Sequence, residues 1–348
     1  MVDDSALMRR TLRQIVEQDP ELELIGVARD GIDGLTKARE LRPDVISMDI
    51  NMPQMDGITA LQHIMAENIC PVVMVSSLTQ KGAVTTFEAM ELGAFDYVAK
   101  PDGTVSADMS VVTNELLSKL KFAARRGSMH RLTGSAKRRK ERRPTAAPLA
   151  LSHRTVSNAL GYKAVALGIS TGGPSTLMEV LPLLPKELPA AIFLVQHMPA
   201  SFITSFATRL SKSCALKVVE AESGVIVEPG TCYVAQGDHQ LVVMQKLSGE
   251  IVIRTPAYPE TLFMPSVDVM MNAVLGVYGQ FTVGVLMTGI GADGADAMVK
   301  IKQAGGHTIA ESEETAVVFG MPREAIERGG ACVVSPSYAV AQEIIKSI

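Results

Sequence analysis

The chain has 348 residues, 47% hydrophobic and 20% charged, a composition that excludes a disordered or collagen-like polymer and suits two globular domains. No apolar run approaches the ~20 residues of a membrane span, and two early aspartates argue against a secretion signal, so a cytoplasmic protein without membrane insertion is expected. The net charge of −4 hides an asymmetry: 11 of the 33 Lys and Arg lie between Lys119 and Arg143 beside a single acid, a local +10 that leaves −14 elsewhere. The four cysteines (Cys70, Cys214, Cys232, Cys332) form no C-x-x-C pair and read as reduced core thiols.

Over the first 124 residues short apolar runs alternate with helix-period segments. Stretches 22–28, 45–48, 72–75 and 95–99 read as buried strands, and 6–16, 31–41, 57–67 and 81–92 as helices. That alternation predicts a parallel sheet covered on both faces, whose functional groups collect at the carboxyl ends of its strands. Polar residues fall there: Asp49 after VISM, Ser76 after VVMV and Lys100 after FDYVA, while Asp3 and Asp4 would follow a further strand. Carboxylates crowded on one edge repel unless a hard cation neutralises them, and Mg2+ is the natural occupant. A carboxylate held there can attack a phosphoryl group, with Lys100 pairing the new charge and Ser76 donating to its oxygens. The plain alternative is a set of helix-capping aspartates and a surface lysine; all five positions together weigh against it.

VDDS, DVISMDINMPQMDG, VVMVSS and FDYVAKP resemble the receiver domain of two-component response regulators. The resemblance implies a flavodoxin-like, doubly wound parallel sheet with Asp49 as phospho-acceptor. It implies Asp4, Asp49 and the backbone carbonyl of Asn51 as Mg2+ ligands, with Asp3 close by. Ser76 and Lys100 fill the positions that answer to phosphorylation, a cis-type lysine-proline bond precedes Pro101, and a histidine kinase is the phosphodonor. One departure stands out. Receivers open with an apolar strand, and only Met1 and Val2 precede the aspartates here. That strand lies inside the sheet, and losing ~5 buried apolar residues at about 1.5–3 kcal/mol each equals a typical domain's whole stability. The expectation is a missing first strand, through a misplaced start or a trimmed N-terminus, and a compromised receiver.

Residues 109–124 can close this domain as a helix. Periodicity then disappears through RRGSMHRLTGSAKRRKERRPTAAP, which reads as a basic flexible linker. The expected limits are 1–124 for the receiver, 125–160 for the linker and 161–348 for a second domain. A Lys/Arg run can bind nucleic acid, and a non-enzymatic regulator acting through it is the alternative function. A solvated tether is favoured, because no DNA-binding helix pattern accompanies the run. His130 and His153 fall here without a catalytic setting.

The second domain opens on KAVALGISTGGP. Ala164 to Leu167 reads as a buried strand and Pro174 as a helix start; between them Gly168 to Gly172 spell G-x-S-x-G, the pattern that lifts a serine onto a sharp turn. Ser170 is thus a candidate nucleophile. A glycine-rich turn with an incidental serine is the bland reading of that motif alone. A second strand, 191–195, ends in Gln196-His197-Met198-Pro199, and a third, 281–287, ends in TGIGADGAD with Asp293 in the loop. Serine, histidine and aspartate from three strand ends supply nucleophile, base and orienting acid for ester or amide cleavage. An N–H from the serine turn or from the Gly289 to Gly291 loop can hold the oxyanion. Rivals exist: His239 and His307 for the base, Asp268 and Asp296 for the acid, and helix capping as a mere structural role for Asp293. Gly289-Ile-Gly291-Ala-Asp-Gly294 also fits a dinucleotide fingerprint with Glu311 as the ribose acid, but Asp293 would repel the pyrophosphate.

GISTGGP, FLVQHMP, VLMTGIGADGA and VVFGMPREAI, in the order receiver, linker, esterase, are similar to the chemotaxis protein-glutamate methylesterases, the CheB family. The resemblance implies a C-terminal α/β domain with a mostly parallel sheet. It assigns Ser170 as nucleophile, His197 as base and Asp293 as orienting acid, with Thr171 beside the nucleophile and Ile290 where the family often has methionine at the oxyanion. It implies glutamate demethylation and glutamine deamidation on methyl-accepting chemotaxis receptors, Mg2+ in the receiver and no cofactor in the esterase.

Overall fold

Strands and helices are interleaved in both halves of the chain, with four strands in succession from Lys217 to Arg254 in the second. The computed structural model describes residues 1–77, 79–100, 108–132 and 161–348, and the chain divides into units Met1–Arg143 and Pro144–Ile348.

In the first unit the order is α1 (Ala6–Val16), α2 (Gly31–Leu41), β1 (Ile46–Asp49), α3 (Gly57–Ala66), β2 (Val72–Ser76), α4 (Gln80–Glu91), β3 (Asp96–Ala99) and α5 (Asp108–Leu132). Local chemistry sets the helix starts: the side chains of Ser5, Asp30, Asp56 and Thr79 each accept the N–H three residues on. β1, β2 and β3 form a parallel sheet in that order. Leu12, Ile15, Val73, Val98, Leu116 and Leu120 pack together beneath it.

Two expectations are corrected. Residues 22–28 form no strand; only Ala28 pairs, through a parallel bridge to Val2, which also bridges Met48. A strand is defined by its partner, and opposite 22–28 stands only the stub Met1–Asp3. Five main-chain bonds hold that segment: Met1 to Gly26, Val2 to Ser47, Asp3 to Ala28, Ala28 to Met1 and Asp49 to Val2. Beside it a cavity of about 340 Å³ lies between 21–28 and 43–46. Second, α5 continues past residue 124 to Leu132. Lys121 pairs with Asp19 and Glu21, and Arg125 with Glu21, which fastens the helix beyond its expected end. Pro101, His153 and the linker beyond Leu132 lie outside the described residues.

The second unit comprises β4 (Lys163–Ile169), α6 (Gly173–Val180), β5 (Ala190–Gln196), α7 (Ala200–Ser213), β6 (Lys217–Glu220), β7 (Thr231–Val234), β8 (Val242–Gln245), β9 (Ile251–Arg254), α8 (Val267–Tyr278), β10 (Thr282–Leu286), α9 (Ala295–Gln303), β11 (His307–Glu311), α10 (Met321–Glu327), β12 (Val333–Ser335) and α11 (Ser337–Ser347). Seven strands make one parallel sheet in the order β12-β11-β10-β4-β5-β7-β6, and β8 and β9 form a separate antiparallel pair. Alternation sorts the faces: Ala164 and Ala166, with Phe193 and Val195, meet Met270, Met271 and Met298 from α8 and α9. From β4 the chain winds outward to β5, β7 and β6, then returns to β10 and winds the other way. The order therefore reverses between β4 and β10, and at such a switch point the strand ends leave a crevice.

No cysteine is in a disulfide; Cys70 and Cys232 are buried, but Cys332 is exposed, so it is not a core thiol.

Candidate functional site

β4 and β10 flank the switch point, and each ends in a loop bearing a candidate residue. Ser170 starts the turn from β4 into α6. Gly172 lies at φ +77°, where L side chains are strained, and a Cβ there would sit 2.5 Å from Val317. Ser170 is left half-buried, its N–H donating to Thr288 O at 2.9 Å and its carbonyl accepting from Gly173 N–H at 2.8 Å. Gly289, after β10, approaches so closely that a Cβ on it would fall 2.8 Å from Ser170 Cβ. The N–H groups of Ser170, Gly173, Thr288 and Gly289 are all taken; among the described residues those of Thr171 and Ile290 donate to nothing.

His197 follows β5, its N–H fixed on Ile169 O at 3.1 Å. Nε2 faces Asp293 Oδ2 at 2.9 Å, and the Phe263 ring stacks on the imidazole at 4.4 Å. An ionised carboxylate only accepts, so Nε2 carries the proton and Nδ1 is the free base nitrogen. Nδ1 is buried with no hydrogen-bond partner among the described residues. Ser170 Oγ and His197 share no hydrogen bond; the fold brings them to neighbouring strand ends.

Asp293 does not cap the helix that follows it. α9 has Gly294 at its N-cap with no side-chain bond, and Asp293 reaches instead to the start of α8. Oδ1 accepts from Ser266 Oγ (2.8 Å) and Asp268 N–H (3.0 Å), and Oδ2 from Val267 N–H (2.7 Å) besides His197. An anion at a helix N-terminus is well placed. Burial pushes the Asp293 carboxyl up, but the His197 bond and the Asp268 and Val267 N–H groups outweigh it, and the carboxyl stays below its usual range.

The rivals have other duties. Asp268 accepts Ala297 N–H at 2.8 Å and Asp296 pairs with Arg328. His239 contacts Gly237 O, and His307 begins β11. Glu311 is fully buried and accepts from Thr288 N–H and Thr315 Oγ1, so it is not displayed to a ribose. Sequence reasoning missed Ser266 and Phe263. The serine before an apolar helical run signalled a helix start, but nothing local pointed to Asp293.

In the first unit Asp3, Asp4 and Asp49 each offer an oxygen within 4.8 Å of the others. Lys100 Nζ lies 2.6 Å from Asp49 Oδ2 and 3.2 Å from Asp3 Oδ2. Asp3 Oδ2 is nonetheless buried without an aligned hydrogen bond among the described residues. Asn51 donates its N–H to Asp49 Oδ1 at 3.4 Å, and Ser76 Oγ accepts from Thr86 Oγ1 at 2.8 Å. Burial raises the Asp49 carboxyl, and Lys100 offsets this only in part. Three crowded acids, one with an unmatched oxygen, fit a hard divalent cation.

Fold and sites together define a two-part α/β protein: a unit with an acidic cluster at its strand ends joined to one with a serine, a histidine and an aspartate at its switch point. A response regulator receiver domain model matches residues 1–106 and a CheB methylesterase model matches residues 165–344. The chain is 53% identical to "Protein-glutamate methylesterase/protein-glutamine glutaminase 3" of Syntrophomonas wolfei, over 100% of this chain and 98% of that one. It is 41% identical to a protein of the same name, without the number, from Pyrococcus horikoshii, over 100% and 92%. The crystal structure of the Thermotoga maritima CheB methylesterase catalytic domain aligns with a TM-score of 0.52 at 40% identity, covering 54% of this chain and 99% of that one. The chain belongs to the CheB methylesterase family and carries a response regulator receiver domain ahead of its methylesterase domain. No described helix is long and apolar enough to cross a membrane.

Proposed function

We propose that this protein removes methyl esters from glutamate side chains of methyl-accepting chemotaxis receptors in the cytoplasm, deamidates selected glutamines there, and is controlled by phosphorylation of Asp49. The observation that carries the reading is the part-buried His197–Asp293 pair at 2.9 Å beside the Ser170 turn. The substrate class, protein glutamate and glutamine side chains, is that of the relatives' names.

Ser170 Oγ attacks the ester carbonyl as its proton passes to His197 Nδ1. Asp293 keeps the opposite proton on Nε2 and stabilises the imidazolium that forms. The unengaged N–H groups of Thr171 and Ile290 are the available oxyanion donors. His197 returns the proton to the departing methoxide, methanol leaves, and an ester to Ser170 remains. Water, deprotonated by the same imidazole, attacks that ester and frees the glutamate. With glutamine the leaving group is ammonia. Phe263 stacked on the ring restricts its rotation. These steps use no cofactor.

In the receiver, Asp49 is the phospho-acceptor, and a histidine kinase is the donor. Asp3, Asp4, Asp49 and the Asn51 carbonyl would hold Mg2+, which when bound neutralises the acids and the incoming phosphoryl oxygens. Lys100 and Ser76 answer the new charge. Incubation with methyl-labelled receptor, with and without phosphodonor, tests the proposal: released methanol should rise with phosphodonor, and absence of release under both conditions rejects it. Nucleic-acid binding through the basic linker predicts salt-sensitive DNA retention; nothing in the described residues favours it.

A further inference from the structure

Three buried polar side chains outside the reacting groups join across the carboxyl ends of four neighbouring strands. Glu311 ends β11, Thr288 follows β10, the Ser170 turn follows β4, and Gln196 ends β5. Glu311 and Thr288 are 0% exposed and Gln196 2%. Glu311 Oε2 accepts Thr288 N–H at 2.8 Å, and its Oε1 accepts Thr315 Oγ1 at 2.8 Å. Thr288 takes Ser170 N–H on its carbonyl at 2.9 Å. Its hydroxyl donates to Thr171 O at 2.8 Å and accepts Val318 N–H at 2.9 Å. On the far side Gln196 Nε2 donates to Ser170 O at 3.0 Å and His197 O at 2.9 Å. Gln196 Oε1 is buried without a partner among the described residues. An unpartnered buried carbonyl is costly, so what the amide contributes here is its two donors.

We infer that Glu311, Thr288 and Gln196 are positioning residues for the reaction, a transverse hydrogen-bonded rail that sets the spacing between the serine turn, the oxyanion loop and the base. The inference rests on the assignment of Ser170 and His197 above. Each end of the Ser170 peptide is held from a different strand: its N–H from β10 and its carbonyl from β5. Thr288 also engages the Thr171 carbonyl and the Val318 N–H, while the Thr171 and Ile290 N–H groups donate to nothing among the described residues. None of the three side chains touches the reacting atoms. They act through the backbone of residues that do.

Thr288→Val keeps the shape and removes the hydroxyl; Gln196→Met removes the amide. Misplacement by under an ångström should lower kcat about 10- to 100-fold for each, with KM within about twofold and an unchanged pH profile of kcat/KM, since neither residue titrates. Thr288→Ser should stay within about threefold of the parent, because it restores the hydroxyl. The double variant should lose less than the product of the two single losses, because both disturb one unit. The inference is overturned if Gln196→Met or folded Thr288→Val keeps kcat within threefold while only the melting temperature falls. Should Thr288→Val not fold, Gln196→Met decides alone. Ser170→Ala, assayed alongside, separates the two levels: an active Ser170→Ala removes the underlying assignment, whereas an inactive one beside unaffected rail variants removes only the rail.

Discussion

Both units set carboxylates at the carboxyl ends of parallel strands, yet they treat them in opposite ways. Asp293 is saturated: Ser266 Oγ, two helix N–H groups and His197 satisfy it, and it stays more acidic than usual despite burial. Asp49 is paired with Lys100 and takes the Asn51 N–H only at 3.4 Å, shares its surroundings with Asp3 and Asp4, and is less acidic than usual. A carboxylate that orients a base works by staying put, so every lone pair is engaged. One that receives a phosphoryl group beside a cation must keep oxygens free for both. On the roles proposed above, incomplete satisfaction goes with the reacting acid and complete satisfaction with the orienting one.

The sharpest way to break this contrast is at the base itself. His197→Ala should lower kcat for methanol release about 10⁴- to 10⁶-fold, read by single-turnover assays with circular dichroism to confirm folding. Asp293→Asn comes next, at about 10³- to 10⁴-fold. Its Oδ1 can still accept from α8, but a neutral amide no longer fixes the proton on Nε2. If Asp293→Asn falls by less than tenfold, Asp293 is a helix-holding residue and the contrast fails.

The under-partnered site responds differently. Lys100→Met leaves Asp49 and Asp3 facing each other without a counter-charge, and should destabilise the N-terminal unit by about 3 kcal/mol in metal-free buffer. Millimolar Mg2+ should restore much of that loss, measured by denaturant midpoints with and without chelator. A variant equally stable in both buffers would mean that the acids do not need neutralising.

The smallest effect is a pH dependence. The folded-state pKa of Asp293 lies below its ordinary value of 3.8, so its ion-pair contribution is complete above that value and fades as pH falls through the folded one. Acid unfolding of the parent should therefore be steeper than that of Asp293→Asn. Matching acid limbs would contradict the saturation of Asp293.

Sequence reasoning located what is local. Helix-period spacing locates α1 and α2, whose starts the structure shows capped by Ser5 and Asp30, and the strand ends bearing Asp49, Lys100 and His197 follow from where apolar runs stop. It failed where pairing is distant. Residues 22–28 had strand-like composition, but strand formation depends on a neighbour, and Val2 supplies one bridge. Asp293 was legible as an acid in the right loop, while its partner Ser266 stands 27 residues away, with no spacing rule to link them. Glu311 was weighed as a ribose acid because a sequence cannot show that its carboxyl is buried under Thr288. The basic turn in composition after residue 124 hides the rest of α5, because the acids that pair with Lys121 and Arg125 stand after α1, about a hundred residues earlier.

The most direct measurement is methanol release from methyl-labelled receptor by Ser170→Ala, with melting temperature recorded in parallel. A nucleophile at Ser170 predicts an unaltered melt and release reduced at least about 10⁴-fold. Release within tenfold of the parent from a normally folded variant would place the reacting hydroxyl elsewhere.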